Sequence, residues 1–198
     1  MKQQRRTKRR KISSMTAIIL AILGVILIGD IIGALIYLRQ TPTVQAELMG
    51  YLALGDSLSF LQIFWQQFLY QFTIWTMGLT VVGNLVNIFL IFARGISAGF
   101  NIAVLAQEAS LSILLLWLLQ YLLIIFVTVL SAYFSIRFAY LMVKSIVKKK
   151  YDLMKKHLKL YATQFIVIMV LTLITSMFSA VTTPMIQNQL QAQIMIEI

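Results

Sequence analysis

The sequence predicts an all-α integral membrane protein, built as a bundle of about five transmembrane helices. Hydrophobic residues make up 60% of the 198 residues, whereas charged residues make up only 12%, about half the share that is usual in soluble domains. The apolar residues also form runs of about 20 residues, the length that one helix needs to cross a bilayer. We therefore expect several crossings with short connections and no separate soluble domain.

The composition also bears on the classes of function. The chain has no cysteine and one histidine, His157, which lies among lysines. Its six acidic residues are scattered, whereas metal sites and acid–base pairs need convergent side chains. We therefore expect no enzymatic activity, no cofactor and no metal. The net charge of +11 would favour nucleic acid in a soluble protein, but its placement here indicates membrane topology and no nucleic-acid partner.

The first element is a basic tail followed by an apolar run. Residues 1–14 hold seven lysines and arginines and no acid, and residues 15–38 form the first predicted span. A cleaved secretory signal, with Val44-Gln45-Ala46 as its site, is the alternative. The run is longer than the apolar region of a signal peptide, which has about 7–15 residues, so we expect the helix to be retained. Thr41-Pro42 then predicts the start of a short amphipathic surface helix, or lies in an ordinary connector.

The apolar sequence from Trp65 to Gln107 can be divided in two ways. In the first division, the sequence forms one long helix that ends near Phe92. The second has a tight turn at Gly83-Asn84, a turn-forming dipeptide, and gives spans at 65–83 and 85–107. Further spans are predicted at 112–134 and 160–182, and Pro184 closes the last one. Residues 185–198 are then an external interfacial tail.

Charge placement decides between the two divisions. Basic residues of short loops stay in the cytoplasm, and 15 of the 17 lie either in the N-terminal tail or in residues 137–159. An even number of crossings must separate these two segments, which requires the turn at Gly83-Asn84. The prediction is a multi-pass protein of the bacterial cell membrane, with its N-terminus cytoplasmic and its C-terminus external.

The basic segment 137–159 alternates apolar and charged residues. We expect it to continue the fourth span and then to lie along anionic lipid headgroups; a cytoplasmic protein partner is the alternative. Seven lysines define this cytoplasmic basic loop: Lys144, Lys148, Lys149, Lys150, Lys155, Lys156 and Lys159.

Two ionisable residues, Asp30 and Arg94, lie inside predicted spans. An unpaired charge at mid-bilayer costs at least about 2.5–3.5 kcal/mol, so we expect an intramembrane charge pair between them. Each adjoins a helix-packing motif of small residues, Gly29-x-x-x-Gly33 or Gly95-x-x-x-Gly99. An ion or proton pathway through the two charges is the alternative, and we favour the structural pair.

A family resemblance rests on the region around these glycines. This region reads FLYQFTIWTMGLTVVGNLVNIFLIFARGISAGFNIAVLAQ. It resembles the core of the stage II sporulation protein M family. Five residues fall at the family's expected positions, namely Gly78, Gly83, Gly95, Gly99 and Phe100, and Arg94 takes the polar position. The family's exit from the fourth span into a basic loop resembles LSAYFSIRFAYLMVK.

The resemblance implies a non-enzymatic membrane scaffold. Such a protein anchors or localises peptidoglycan-remodelling enzymes during sporulation engulfment or related envelope remodelling. Its expected partners are membrane lipids and other membrane or extracytoplasmic proteins such as cell-wall hydrolases. The alternative is a small membrane subunit of a transporter that works with a separate ATPase docked on residues 137–159.

Overall fold

The computed structural model describes residues 14–45, 47–48, 59–149 and 151–197. Five long helices follow one another: α1 (Ser14–Leu38), α2 (Phe60–Met77), α3 (Val81–Glu108), α4 (Leu111–Val147) and α5 (Tyr151–Glu197). Within the described residues there is no strand, which confirms the all-α class. The predicted basic tail lies outside these residues, except that Ser14 begins α1.

Four helices are long and apolar enough to cross a membrane: Met15–Leu38, Val81–Gln107, Leu111–Val147 and Asp152–Ala192. Helix α2 is the exception, because it has 18 residues, four of which are glutamines. The chain is therefore a helical membrane protein with four candidate spans in its described part. The five-span count and the orientation of the termini remain predictions and enter the proposal below.

The connection after α1 begins as the sequence predicts. The backbone is helical from Pro42 to Gln45 and again at residues 47–48, and the Gln45 amide donates to the Thr41 carbonyl at 3.0 Å. Ala46 of the candidate cleavage site and residues 49–58 lie outside the described part of the chain.

The predicted turn at Gly83-Asn84 is wrong. The chain turns at residues 78–80, and Gly83 and Asn84 lie in the first turns of α3. Thr80 caps this helix, since its hydroxyl accepts the Gly83 amide at 2.9 Å and its carbonyl accepts the Asn84 side-chain amide at 3.1 Å. A Cβ at Gly83 would overlap the Met77 carbonyl. Gly83 and Asn84 thus take part in the N-terminal capping of α3 and do not form the turn that reverses the chain.

Helices α4 and α5 extend well beyond the predicted spans. The span at 112–134 is part of a helix of 37 residues, and the span at 160–182 is part of one of 47 residues. Residues 137–147 continue α4, as expected. Residues 151–159 do not form a separate surface segment, because α5 already begins at Tyr151. The basic segment is therefore the end of a helical hairpin.

Pro184 does not close the last helix, contrary to the prediction. It lies inside α5, where a membrane helix tolerates proline because neighbouring helices and hydroxyl side chains satisfy the freed backbone groups. The helix then runs through the predicted interfacial tail as far as Glu197. Ile186 and Leu190 of that segment are buried, with 6% and 1% of their surface exposed, so this part of the chain packs against the bundle.

Two buried clusters fix the directions of the helices. The basic-end cluster joins the first half of α1 to the first half of α3 through Ile22, Ile26, Ile74, Ile91, Ala132 and Tyr133. The far-end cluster joins the opposite ends through Tyr37, Ala103, Val104, Leu105, Ile113, Ile186 and Leu190. Helices α1 and α3 are therefore parallel. The start of α1 and the hairpin between α4 and α5 lie at the same end of the bundle.

Helices α1 and α3 touch backbone to backbone. A Cβ at Gly29 would lie 2.6 Å from the Phe92 carbonyl oxygen and 3.0 Å from the Gly95 Cα, and one at Gly95 would lie 2.6 Å from the Ile26 oxygen. One turn further on, a Cβ at Gly33 would overlap the Ile96 carbonyl, and one at Gly99 would overlap the backbone of Asp30. The four predicted packing glycines thus lie at a single helix–helix contact, as small residues do in membrane bundles.

Candidate functional site

Arg94 lies near the middle of α3, inside a candidate span. Its guanidinium carbon is 4.3 Å from the centre of the Tyr70 ring of α2. The Tyr70 hydroxyl donates to the Leu90 carbonyl of α3 at 3.2 Å, which fixes the ring beside the arginine. A cation over a desolvated ring is stabilised by about 2 kcal/mol, so this contact offsets part of the cost of a charge at this depth.

An open cavity of about 350 Å³ lies beside Arg94, between α2, α3, α4 and α5. All but the first of its other wall residues carry a polar side-chain group: Ile63, Gln66, Gln67, Tyr70, Gln120, Ser179 and Thr183. A second cavity of about 120 Å³ shares Gln120 and Thr183 and reaches Asn101 and Trp117. The two cavities are neighbours, and the second lies nearer the far end of the bundle, beside Leu105, Ile186 and Leu190.

Helix α5 presents a polar face to the interior of the bundle and an apolar face outward. Its buried residues include Thr172, Thr175, Ser176, Ser179 and Thr182, whereas its exposed residues include Val170, Leu173, Ile174, Met177 and Val181. This arrangement is the reverse of a water-soluble helix and is expected when lipid covers the outer surface.

Hydrogen bonds from this polar face hold the glutamines of the cavity. The oxygen of Gln67 lies 3.0 Å from the Thr175 hydroxyl and 3.1 Å from the Ser176 hydroxyl. The oxygen of Gln120 lies 2.8 Å from the Thr182 hydroxyl. These hydrogen bonds hold both glutamine side chains in the wall of the cavity.

Asp30 and Arg94 do not form the direct pair that we predicted. The Asp30 carboxylate accepts a hydrogen bond of 2.7 Å from the Tyr121 hydroxyl of α4, whereas Arg94 lies over Tyr70 of α2. Among the described residues, no ion pair joins the two charges. Each of the two charges therefore has a tyrosine beside it, Tyr121 at Asp30 and Tyr70 at Arg94.

The glycine contact explains this separation. The backbones of α1 and α3 touch at Gly29 and Gly95, so the side chains that follow and precede these glycines leave the contact on different sides. Asp30 reaches α4 and Arg94 reaches α2.

A second polar network lies near the turn between α2 and α3. The Asn87 side-chain amide donates to the Ser135 hydroxyl at 2.8 Å and to the Ile74 carbonyl at 3.0 Å. Ser135 in turn donates to the Asn84 side-chain oxygen at 2.9 Å, and the Tyr161 hydroxyl donates to the Trp75 carbonyl at 2.7 Å. A Cβ at Gly78 would overlap Ser135 and Tyr161. This network ties the turn to α4 and α5.

The lysines of the predicted basic loop lie on the helical hairpin. Those with described side chains, Lys144, Lys148, Lys149, Lys155, Lys156 and Lys159, are all exposed, and Lys150 lies outside the described residues. His157 is half-buried on the same hairpin. In the described part of the chain, no group of three His, Cys, Asp or Glu side chains could hold a metal ion.

Two tyrosines and the polar face of α5 were not predicted from the sequence. Tyr70 and Tyr121 lie within helices, away from the helix ends where an interfacial tyrosine belongs. The hydroxyl residues from Thr172 to Thr183 recur at three- and four-residue spacing, which places them on one face of a helix. Both signals were present in the sequence.

A comparison with known families agrees with the resemblance noted above. The family model described as stage II sporulation protein M matches residues 13–184. The chain belongs to the stage II sporulation protein M family. No curated protein and no solved structure matches it. The family match covers α1 to α4 and α5 as far as Pro184, and therefore includes the glycine contact, Asp30 and the Arg94 cavity.

Proposed function

We propose that this protein is a non-enzymatic scaffold of the bacterial cell membrane that anchors or localises peptidoglycan-remodelling enzymes. The observation that carries the proposal is the match to the stage II sporulation protein M family over residues 13–184. The process is sporulation engulfment or related envelope remodelling. The partners are membrane lipids and extracytoplasmic proteins such as cell-wall hydrolases.

The proposed topology follows from the ends of the bundle. The start of α1 and the lysine-bearing hairpin lie at one end, and the basic residues of short loops stay in the cytoplasm. The far end, with Tyr37, Ile113 and Leu190 at its core, then faces outward. Helix α2 runs antiparallel to α3 and counts as a fifth, short span of about 27 Å at 1.5 Å per residue.

Rigidity of the bundle supports an anchoring role. Backbone contact at the four glycines locks α1 to α3, and the far-end cluster joins α1, α3, α4 and α5. A partner that binds the outer face would therefore meet helices that are packed closely against one another.

Purification of the tagged protein from the native cells tests the scaffold. We expect it to lack hydrolytic activity and to co-purify with a wall hydrolase or the anchor of one. Gly95→Leu should lose this partner, because the new side chain would meet the backbone of α1. Gly24→Leu is the matched control, since nothing lies within 4 Å of a Cβ at Gly24. Unchanged hydrolase localisation in cells without the gene would contradict the scaffold role.

The transporter subunit is the second candidate, and the Arg94 cavity favours it. A transporter needs a polar path among its helices, and the cavity beside Arg94 places several polar side chains together in the bundle. The exposed lysines of the hairpin would then face the separate ATPase. Solute uptake by vesicles that contain the protein and an ATPase, abolished by Arg94→Gln, would support this function over the scaffold.

A further inference from the structure

The positive charge of Arg94 has no carboxylate partner among the described side chains. Asp30, which we predicted as its partner, accepts a hydrogen bond from Tyr121 instead. Tyr70 contacts the guanidinium, whose central carbon lies 4.3 Å from the centre of the ring, and the two side chains are also within hydrogen-bonding reach of each other. The guanidinium has five N–H donors, so a single tyrosine leaves some of them for the cavity that Arg94 lines.

The wall of the cavity has the composition of an anion site. Among the described residues of its wall, Arg94 is the one that carries a charge. Neutral hydrogen-bonding groups come from Gln67, Gln120 and Ser179, and the Gln67 amide already donates to the Ser179 hydroxyl at 3.4 Å. The glutamines are already held by hydroxyls of α5, so little side-chain freedom would be lost on binding. A volume of about 350 Å³ is sufficient for a small ligand or a lipid headgroup.

We propose that this cavity binds the oxyanion of a phosphate or carboxylate group through Arg94. Arginine suits this role because two parallel N–H groups match two oxygens of such an anion. A second cavity shares Gln120 and Thr183 with this one and reaches Asn101, toward the far end of the bundle. The oxyanion has two sources, a phospholipid headgroup or a dissolved anion. The site is independent of the scaffold role, which depends on the outer face.

Thermal unfolding in an uncharged detergent tests the site. The probes are inorganic phosphate against chloride at equal ionic strength, and phosphatidylglycerol against dioleoylglycerol, which lacks the headgroup. We expect at least one anionic probe to raise the unfolding midpoint of the natural protein. A rise with phosphate assigns the site to dissolved anions, and a rise with phosphatidylglycerol alone assigns it to lipid headgroups.

Three variants locate the binding. Arg94→Gln should weaken anion binding at least tenfold, whereas Arg137→Gln should leave it unchanged, because Arg137 is exposed and lies beside Tyr133 outside the cavity. Thr183→Leu keeps Arg94 but fills the shared wall of the two cavities, and should also lose the shift. The assignment is overturned if neither anionic probe raises the unfolding midpoint above that measured with its control. It is also overturned if either Arg94→Gln or Thr183→Leu keeps the full shift of the midpoint.

Discussion

The backbone contact between α1 and α3 can be tested with a single methyl group. In Gly33→Ala, the new Cβ would overlap the Ile96 carbonyl oxygen and lie 2.8 Å from the Phe100 amide nitrogen. Both are backbone atoms, so no change of rotamer relieves the clash and the two helices must move apart. A gap of about 0.5–1 Å already forfeits a quarter to a half of a van der Waals contact, and the loss extends along the row to Gly29 and Gly95.

The magnitude follows from comparison with Gly24→Ala. Nothing lies within 4 Å of a Cβ at Gly24, which belongs to the same helix, so this variant keeps only the gain in helix propensity of about 1 kcal/mol. The same gain applies at Gly33 and cancels in the comparison. What remains is the cost of overpacking, about 1–3 kcal/mol. We therefore expect Gly33→Ala to be less stable than Gly24→Ala by that amount.

The assay is unfolding in mixed micelles. Titration with sodium dodecyl sulfate, followed by far-ultraviolet circular dichroism, gives the free energy of unfolding of each variant. Equal free energies for Gly33→Ala and Gly24→Ala would refute the contact, since both variants add the same methyl group to the same helix.

Three further predictions follow from other parts of the bundle. Because the chain has no cysteine, single cysteines report topology: we expect Ser110→Cys to be labelled from outside intact cells, and labelling of Lys149→Cys from outside would contradict the orientation. The hydrogen bond from Tyr121 to Asp30 at 2.7 Å involves a carboxylate, so a double-mutant cycle of Asp30→Asn and Tyr121→Phe should give a coupling of about 1.5–3 kcal/mol in unfolding free energy. The corresponding cycle of Asp30→Asn with Arg94→Gln should give a smaller coupling energy. If the coupling of Asp30 with Arg94 were instead the larger of the two, the direct ion pair would be supported. Lys149 has a φ of 50° at the end of α4, so Lys149→Gly should raise the unfolding free energy by about 0.5–1 kcal/mol; a lower value would exclude backbone strain there.

Much of the architecture was predictable from the sequence, because length and apolar composition alone define membrane helices. The four candidate spans include the apolar runs at 15–38, 112–134 and 160–182. The positions of the helix ends were harder to predict, because they depend on contacts with other helices. Thr80 and Ser135 hold the amide of Asn84 inside α3, although Gly83-Asn84 alone reads as a turn. Pro184 likewise continues a helix that the sequence pattern ends.

Of the candidate site, only the two charges, Asp30 and Arg94, were predicted from the sequence. The two charges were recognisable because each interrupts an apolar run. Their partners were not, because helical spacing does not reveal which neighbouring helix a side chain faces. Tyr121 is 91 residues from Asp30 along the chain, and Tyr70 reaches Arg94 from the short helix α2.

The parallel contact of α1 and α3 also has a consequence for biosynthesis. Helix α1 enters the membrane first, but its glycine face meets a partner only after α2 and most of α3 have been made. The hydrogen-bond partner of the Asp30 carboxylate is made later still, because Tyr121 lies 91 residues further along the chain. At a synthesis rate of about 5–20 residues per second, this separation corresponds to a delay of roughly 5–18 s. During that interval a carboxylate stands in the bilayer without its hydrogen-bond donor. The nascent chain therefore depends on the insertion machinery, or on protonation of Asp30, until α4 arrives.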